Sequence, residues 1–127
     1  MARLLLLDIT AESIDDMIHA VTCNEIDDYY KYLKCDCFDI ATRKIGSSYY
    51  DIFVDDNGLF VEHPVVSAID EKTHEPMLVG NLIFANHDSS GETTSLSADD
   101  VKNILENIGV AIFKDGHKQL VVRCKGE

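Results

Sequence analysis

The chain has 127 residues, a length that suits one domain with one sufficient core, and its 46% hydrophobic content excludes wholesale disorder. Its 23 acidic and 11 basic residues give a formal charge of −12. That excludes the cationic footprint by which most proteins hold bare nucleic acid or anionic membrane.

The charge is uneven. Residues 1–108 carry 21 acids and 7 bases, whereas residues 109–127 carry 2 acids and 4 bases. An acidic binding face therefore belongs to the first 108 residues. No stretch approaches the ~20 apolar residues of a membrane helix. The opening run is broken by Asp8, too early for a secretory leader. Cys23, Cys35, Cys37 and Cys124 are accordingly expected to be reduced thiols of a cytoplasmic protein.

Residues 2–9 form an apolar run that reads as a buried strand. Residues 16–22 read as a second strand paired with it. A helix over 13–20, capped by Ser13, is the competing assignment. Asn24 is the expected N-cap of a helix over 25–34: Glu25, Asp27 and Asp28 occupy its first turn and Lys31 and Lys34 its last. Phe38 to Ile45 and Tyr49 to Val54 form a predicted hairpin around Gly46-Ser47-Ser48. Asp55-Asp56-Asn57-Gly58 then makes a turn, and Leu59-Phe60-Val61 leads to Pro64.

A short apolar piece at 65–69 and a polar turn at 71–76 precede Met77 to Asn86, the expected central strand. Gly80 inside it suggests a bulge or a close backbone approach. After a polar loop, Ser97 caps a second helix with Asp99 and Asp100 in its first turn. Val101, Ile104, Leu105 and Ile108 form its apolar stripe, and Gly109 is the expected stop. A closing hairpin runs from Val110 to Lys114, through an Asp115-Gly116 turn of type I′, to Lys118–Arg123. The pattern predicts an α+β fold: a mostly antiparallel sheet of hairpins with two main helices in a single compact domain. Its organisation reads as an acidic core over 1–108 and a C-terminal β-hairpin extension over 109–127 packed on the same domain.

No catalytic motif stands out. A calcium loop with its glycine at Gly58 would need Phe53 and Pro64 as ligands, which is chemically unsuitable. Cys35-x-Cys37 lacks the paired spacing of a zinc site, and His19, His63, His74, His87 and His117 are scattered. No metal or other cofactor is therefore expected, and no enzyme. Asn86-His87-Asp88, at the end of a strand, is the most site-like triplet, although a plain loop explains it as well. The candidate contact residues for a protein partner are the acids Asp27, Asp28, Asp51, Asp55 and Asp56 with Tyr49 and Tyr50. Tyrosine anchors interfaces, and alternation along a strand requires one of that pair to face solvent.

Three stretches carry a resemblance: Arg43-Lys44-Ile45-Gly46 followed by Asp51-Ile52-Phe53-Val54-Asp55-Asp56-Asn57-Gly58-Leu59; Pro76-Met77-Leu78-Val79-Gly80-Asn81; and Ser95-Leu96-Ser97-Ala98-Asp99-Asp100. Over about residues 27–108 the chain resembles a family of small acidic proteins of unknown function carried by phages, plasmids and other mobile elements of Gram-positive bacteria. The resemblance supplies no catalytic residues. It implies an inhibitor of bacterial antiviral defence, an anti-CRISPR protein above all. Such a protein would act as a DNA mimic on a basic, nucleic-acid-binding surface of an effector nuclease, with no direct contact to nucleic acid or membrane, as a monomer or homodimer. Two alternatives are a sponge for a nucleotide immune signal, with Arg43, Lys44 and Arg123 as its phosphate donors, and a small hydrolase.

Overall fold

A computed structural model describes residues 2–57 and 65–125. The turn glycine Gly58, the Leu59-Phe60-Val61 segment, His63 and Pro64 lie outside the described residues. The fold is α+β, as the pattern predicts, but its strands form two sheets. In chain order the elements are β1 (Ala2–Leu7), a 3-10 turn (Ile14–Asp16), β2 (Ile18–Cys23), α1 (Ile26–Leu33), β3 (Phe38–Ile45), β4 (Ser48–Asp55), β5 (Val66–Asp70), β6 (Pro76–Val79), β7 (Leu82–His87), β8 (Thr93–Thr94), α2 (Ala98–Glu106), β9 (Ile108–Ile112) and β10 (Lys118–Cys124). The first sheet runs β2-β1-β7-β4-β3, with β8 paired to the end of β7, and the second runs β6-β5-β10-β9. Every pairing is antiparallel except β5 with β10.

Continuous apolar runs build β1 and β7, because both faces of the first sheet are covered at its centre. Leu5, Leu7, Ile52, Leu82 and Phe84 face the second sheet, where Ala68, Leu78, Leu120, Val122 and Cys124 meet them. Leu4, Leu6, Phe53, Ile83 and Ala85 point the other way, into a smaller cluster under α1 with Leu33. Helix α2 lies on the second-sheet side and sends Ile104 into the main core.

One pair of alternatives is resolved and three local expectations are corrected. Of the two assignments for residues 13–22 the strand holds: β2 takes Ile18–Cys23, and a single 3-10 turn stands where the competing helix would lie. The N-cap of α1 is Glu25, one residue beyond Asn24, because the Asp28 carboxylate accepts from both the Asn24 and Glu25 amides at 2.8 and 3.1 Å. Helix α2 ends at Glu106, with Asn107 as its cap, and Gly109 lies in β9, where the Arg123 guanidinium passes over it to donate to the Glu106 carbonyl. The last turn is not type I′. Only Gly116 has positive φ there (+90°), and Phe113 both donates to His117 and accepts from Gly116. That is a three-residue connection with a left-handed glycine.

The largest departure is at Met77–Asn86. The run is two strands in different sheets, β6 at an edge of the second and β7 at the centre of the first. Gly80, at φ +80°, turns the chain between them. Asn81 then fixes the crossing. Its Oδ1 accepts from the Ile9 amide at 3.0 Å, and its Nδ2 donates to the Tyr32 carbonyl at 2.9 Å and to Asp8 at 3.1 Å. One buried amide thus ties the end of β1 to the last turn of α1. Gly46 is the second such position: at φ +58° it turns the β3–β4 hairpin, and a Cβ there would run into the Asn103 amide, which itself donates to the Ile45 carbonyl.

Two substitutions test these joints. Asn81→Ala leaves a buried amide and carbonyl without partners and is expected to lower stability by about 2–4 kcal/mol in urea denaturation. Gly46→Ala combines an unfavourable φ with a steric clash and is expected to cost about 1–3 kcal/mol in the same assay.

Candidate functional site

The seven candidate contact residues do not converge. Tyr49 and Asp55 occupy opposite ends of β4, about 20 Å apart at ~3.3 Å per residue. Asp27 is exposed in the first turn of α1, and Asp28 beside it is committed to capping that helix. The Asn24 and Glu25 amides hold the Asp28 carboxyl below its ordinary pKa.

The two tyrosines part as alternation requires. Tyr49 is 56% exposed, with the Lys44 ammonium 6.0 Å from its ring centre. Tyr50 is 2% exposed and does not reach the surface. Its hydroxyl donates to Asp100 at 3.1 Å and accepts from Asn103 at 3.0 Å. Burial pushes its phenol pKa up. Asp100 is the hub of this region, accepting also from the Ser97 amide and hydroxyl and from Asn86. Burial alone would raise its pKa, but these donors outweigh it and hold the carboxyl below its ordinary value.

At the Tyr49 end of β4, the face of the first sheet that carries α1 is open. Asp51, largely buried, accepts from the Thr42 hydroxyl at 3.2 Å and sits 2.8 Å from His87 Nδ1. A carboxylate is an acceptor only, so Nδ1 carries the proton between them, and in the neutral ring Nε2 of this half-exposed imidazole is the acceptor. Asp51 is therefore an orienting group rather than a contact group. The rest of the Asn86-His87-Asp88 triplet is architectural: Asn86 donates to Asp100, and Asp88 closes the following turn by accepting from Ser90 and Glu92.

At the other end of β4, Asp55 and Asp56 join Asp39, which the sequence reading did not select, around a recess of about 160 Å³. Val54, Met77, Leu78 and Val79 supply its apolar lining. Small-molecule sites are larger, roughly 300–1,000 Å³, so this recess suits a single side chain. Among the described residues no base makes an ion pair with these three acids. Asp27 and Asp56 accept no side-chain hydrogen bond among the described residues, unlike Asp28, Asp70, Asp88 and Asp100, which close turns or cap helices.

Arg43, Lys44 and Arg123 do not gather in one place. Arg43 donates to its neighbour's carbonyl, Lys44 lies over Tyr49, and Arg123 reaches the end of α2. Among the described residues no group of three or more His, Cys, Asp or Glu is placed to hold a metal, and no helix is long and apolar enough to cross a membrane. Burial pushes the Cys23, Cys35 and Cys124 thiols up to about 11, which leaves them protonated and unreactive at neutral pH.

The Asp100 hub makes stability depend on acid. A carboxyl held below its ordinary 3.8 in the fold contributes fully above that value and loses its contribution as pH falls through the folded pKa. Thermal melts are expected to show the unfolding midpoint dropping below about pH 4. Asp100→Asn should be less stable at neutral pH and should lose less on acidification.

Compared with known proteins, the chain matches one family model, described as a domain of unknown function (DUF3846), over residues 8–109. No curated protein and no solved structure matches it. The match spans β2, both helices and the β3–β4 hairpin, together with the Gly80–Asn81 crossing and the α2 capping box. On that match, the chain belongs to the DUF3846 family.

Proposed function

We propose that this chain acts by binding: its acidic recess takes a lysine or arginine side chain from a basic protein surface, with no reaction performed. The observation that carries this reading is the pairing of an apolar floor (Val54, Met77, Leu78, Val79) with a rim of Asp39, Asp55 and Asp56. Long basic side chains lay their aliphatic stems on apolar surface and keep their charge at its edge, so floor and rim suit the two parts of one such residue. The net charge of −12 steers such a partner from a distance.

The partner we propose, on the resemblance to proteins of phages and mobile elements, is an effector nuclease of a bacterial antiviral system, bound at the surface where it holds nucleic acid. Inhibition of that kind, anti-CRISPR activity included, requires only occupancy of the basic surface. Exposed Asp27 is a further contact group for an extended basic partner.

One observation favours a second reading. The carboxylate-oriented His87, with Nε2 free, has the geometry of a general base, which a small hydrolase would use. His87→Ala would abolish such hydrolysis and leave nuclease binding intact.

The binding reading is tested by titrating purified effector nuclease at low and at high salt. Affinity is expected to fall steeply with salt. Asp39→Asn, Asp55→Asn and Asp56→Asn combined should weaken binding by about tenfold or more while circular dichroism is unchanged. Affinity indifferent to both salt and these substitutions would remove the recess from the mechanism.

A further inference from the structure

Apart from the two-residue β8, four strands end the two sheets, and two of them, β3 and β6, are guarded. β3 carries Asp39, Arg43 and Lys44, β6 begins with Pro76, and β2 is interrupted only by the exposed polar side chains of His19 and Thr22. Charge and proline are the usual means by which an edge is kept from pairing with another chain. The fourth edge, β9, reads Ile108-Gly109-Val110-Ala111-Ile112, with no charge and no proline.

Its hydrogen-bonding face is open. Phe113 pairs with His117 and Asn107 accepts from Arg123, so the bonds to β10 fall on the odd-numbered residues from 107 to 113. The amides and carbonyls of Ile108, Val110 and Ile112 therefore point away from β10, and among the described residues no other strand pairs with β9. The same residues carry apolar side chains toward the core side of the sheet, where Val110 remains 54% and Ile112 70% exposed.

We infer that β9 pairs with β9 of a second copy of this chain, antiparallel about a two-fold axis at Val110, so that the two four-stranded sheets become one of eight strands. The strand is near-palindromic about that axis. Val110 meets its own mate, Ile108 meets Ile112, and the small residues Gly109 and Ala111 meet on the opposite face. Each outward amide finds an outward carbonyl, and the most exposed apolar side chains of the edge are covered.

Charge agrees with this pairing in two ways. The segment 109–127 carries 4 bases and 2 acids, so the one stretch that is not acidic lies at the seam. Glu106, the last residue of α2, and Lys114, in the turn after β9, are both exposed, so antiparallel pairing turns the acidic end of one strand toward the basic end of the other. The seam lies on the second sheet, on a strand separate from the acidic recess, so this pairing and the binding reading stand or fall separately.

Sedimentation equilibrium of the full chain across micromolar to millimolar concentrations tests it. The mass is expected to rise from 14.2 kDa to twice that value, and amide exchange at Ile108, Val110 and Ile112 to slow with it. Val110→Lys places two like charges on the axis and should hold the chain at monomer mass with an unchanged circular dichroism spectrum. Glu106→Lys should weaken association, and adding Lys114→Glu should restore it. Ile40→Lys, at another exposed apolar position, on β3, should leave association intact. A monomer at every concentration, or a dimer that survives Val110→Lys in a folded chain, would overturn the pairing.

Discussion

The fold depends on the central strands β1 and β7 of the first sheet being covered on both faces. Leu4 to Leu7 and Leu82 to Ala85 are buried along their whole length, alternate residues entering the cluster beneath α1 and the layer shared with the second sheet. A fully buried leucine or phenylalanine contributes ~1.5–3 kcal/mol, a sizeable share of the ~5–15 kcal/mol that holds a domain together. Everything else serves that double burial. Helix α1 closes one face through Tyr29, Tyr32 and Leu33, and the second sheet with α2 closes the other.

The local signals in the sequence were legible where chemistry acts over a few residues. The Ser97–Asp100 capping box, the β3–β4 hairpin and the opposed orientation of Tyr49 and Tyr50 all follow from spacing alone. What was not legible depends on distant partners. Residues 77–86 look like one apolar strand because both halves are buried, and nothing in the composition announces that Gly80 sends them to different sheets. Asp51 and His87 are 36 positions apart and meet only through the register of β4 with β7. Asp39 joins Asp55 and Asp56 because β3 and β4 pair with Asp39 opposite Val54. Gly109 resembles a helix stop, and the reason for its smallness, the passing Arg123 side chain, lies across the hairpin.

The strong acidity has two sources. A fold rich in hairpins and short connections needs carboxylates to accept from turn amides, and Asp8, Asp28, Asp70, Asp88 and Asp115 do so. Their charge is a by-product of architecture. Asp27 and Asp56 have no such duty among the described residues, and Asp39 bonds only the amide of its own neighbour. The motif residues divide in the same way. Gly46, Gly80, Asn81, Ser97 and Asp55, which accepts from the Asn57 amide at 2.9 Å, shape the chain, while Asp56 extends beyond what the turn requires.

The interior position of β10 bears on how the chain is made. Residues 118–124 lie between β5 and β9 and supply Leu120, Val122 and Cys124 to the main core. A ribosome must therefore deliver nearly the whole described chain before the second sheet can close, and the parallel contact with β5 spans some fifty residues of separation. Until then the leucines of β1 and β7 have one covered face, and the nascent domain shows its apolar side to whatever chaperone stands at the tunnel exit.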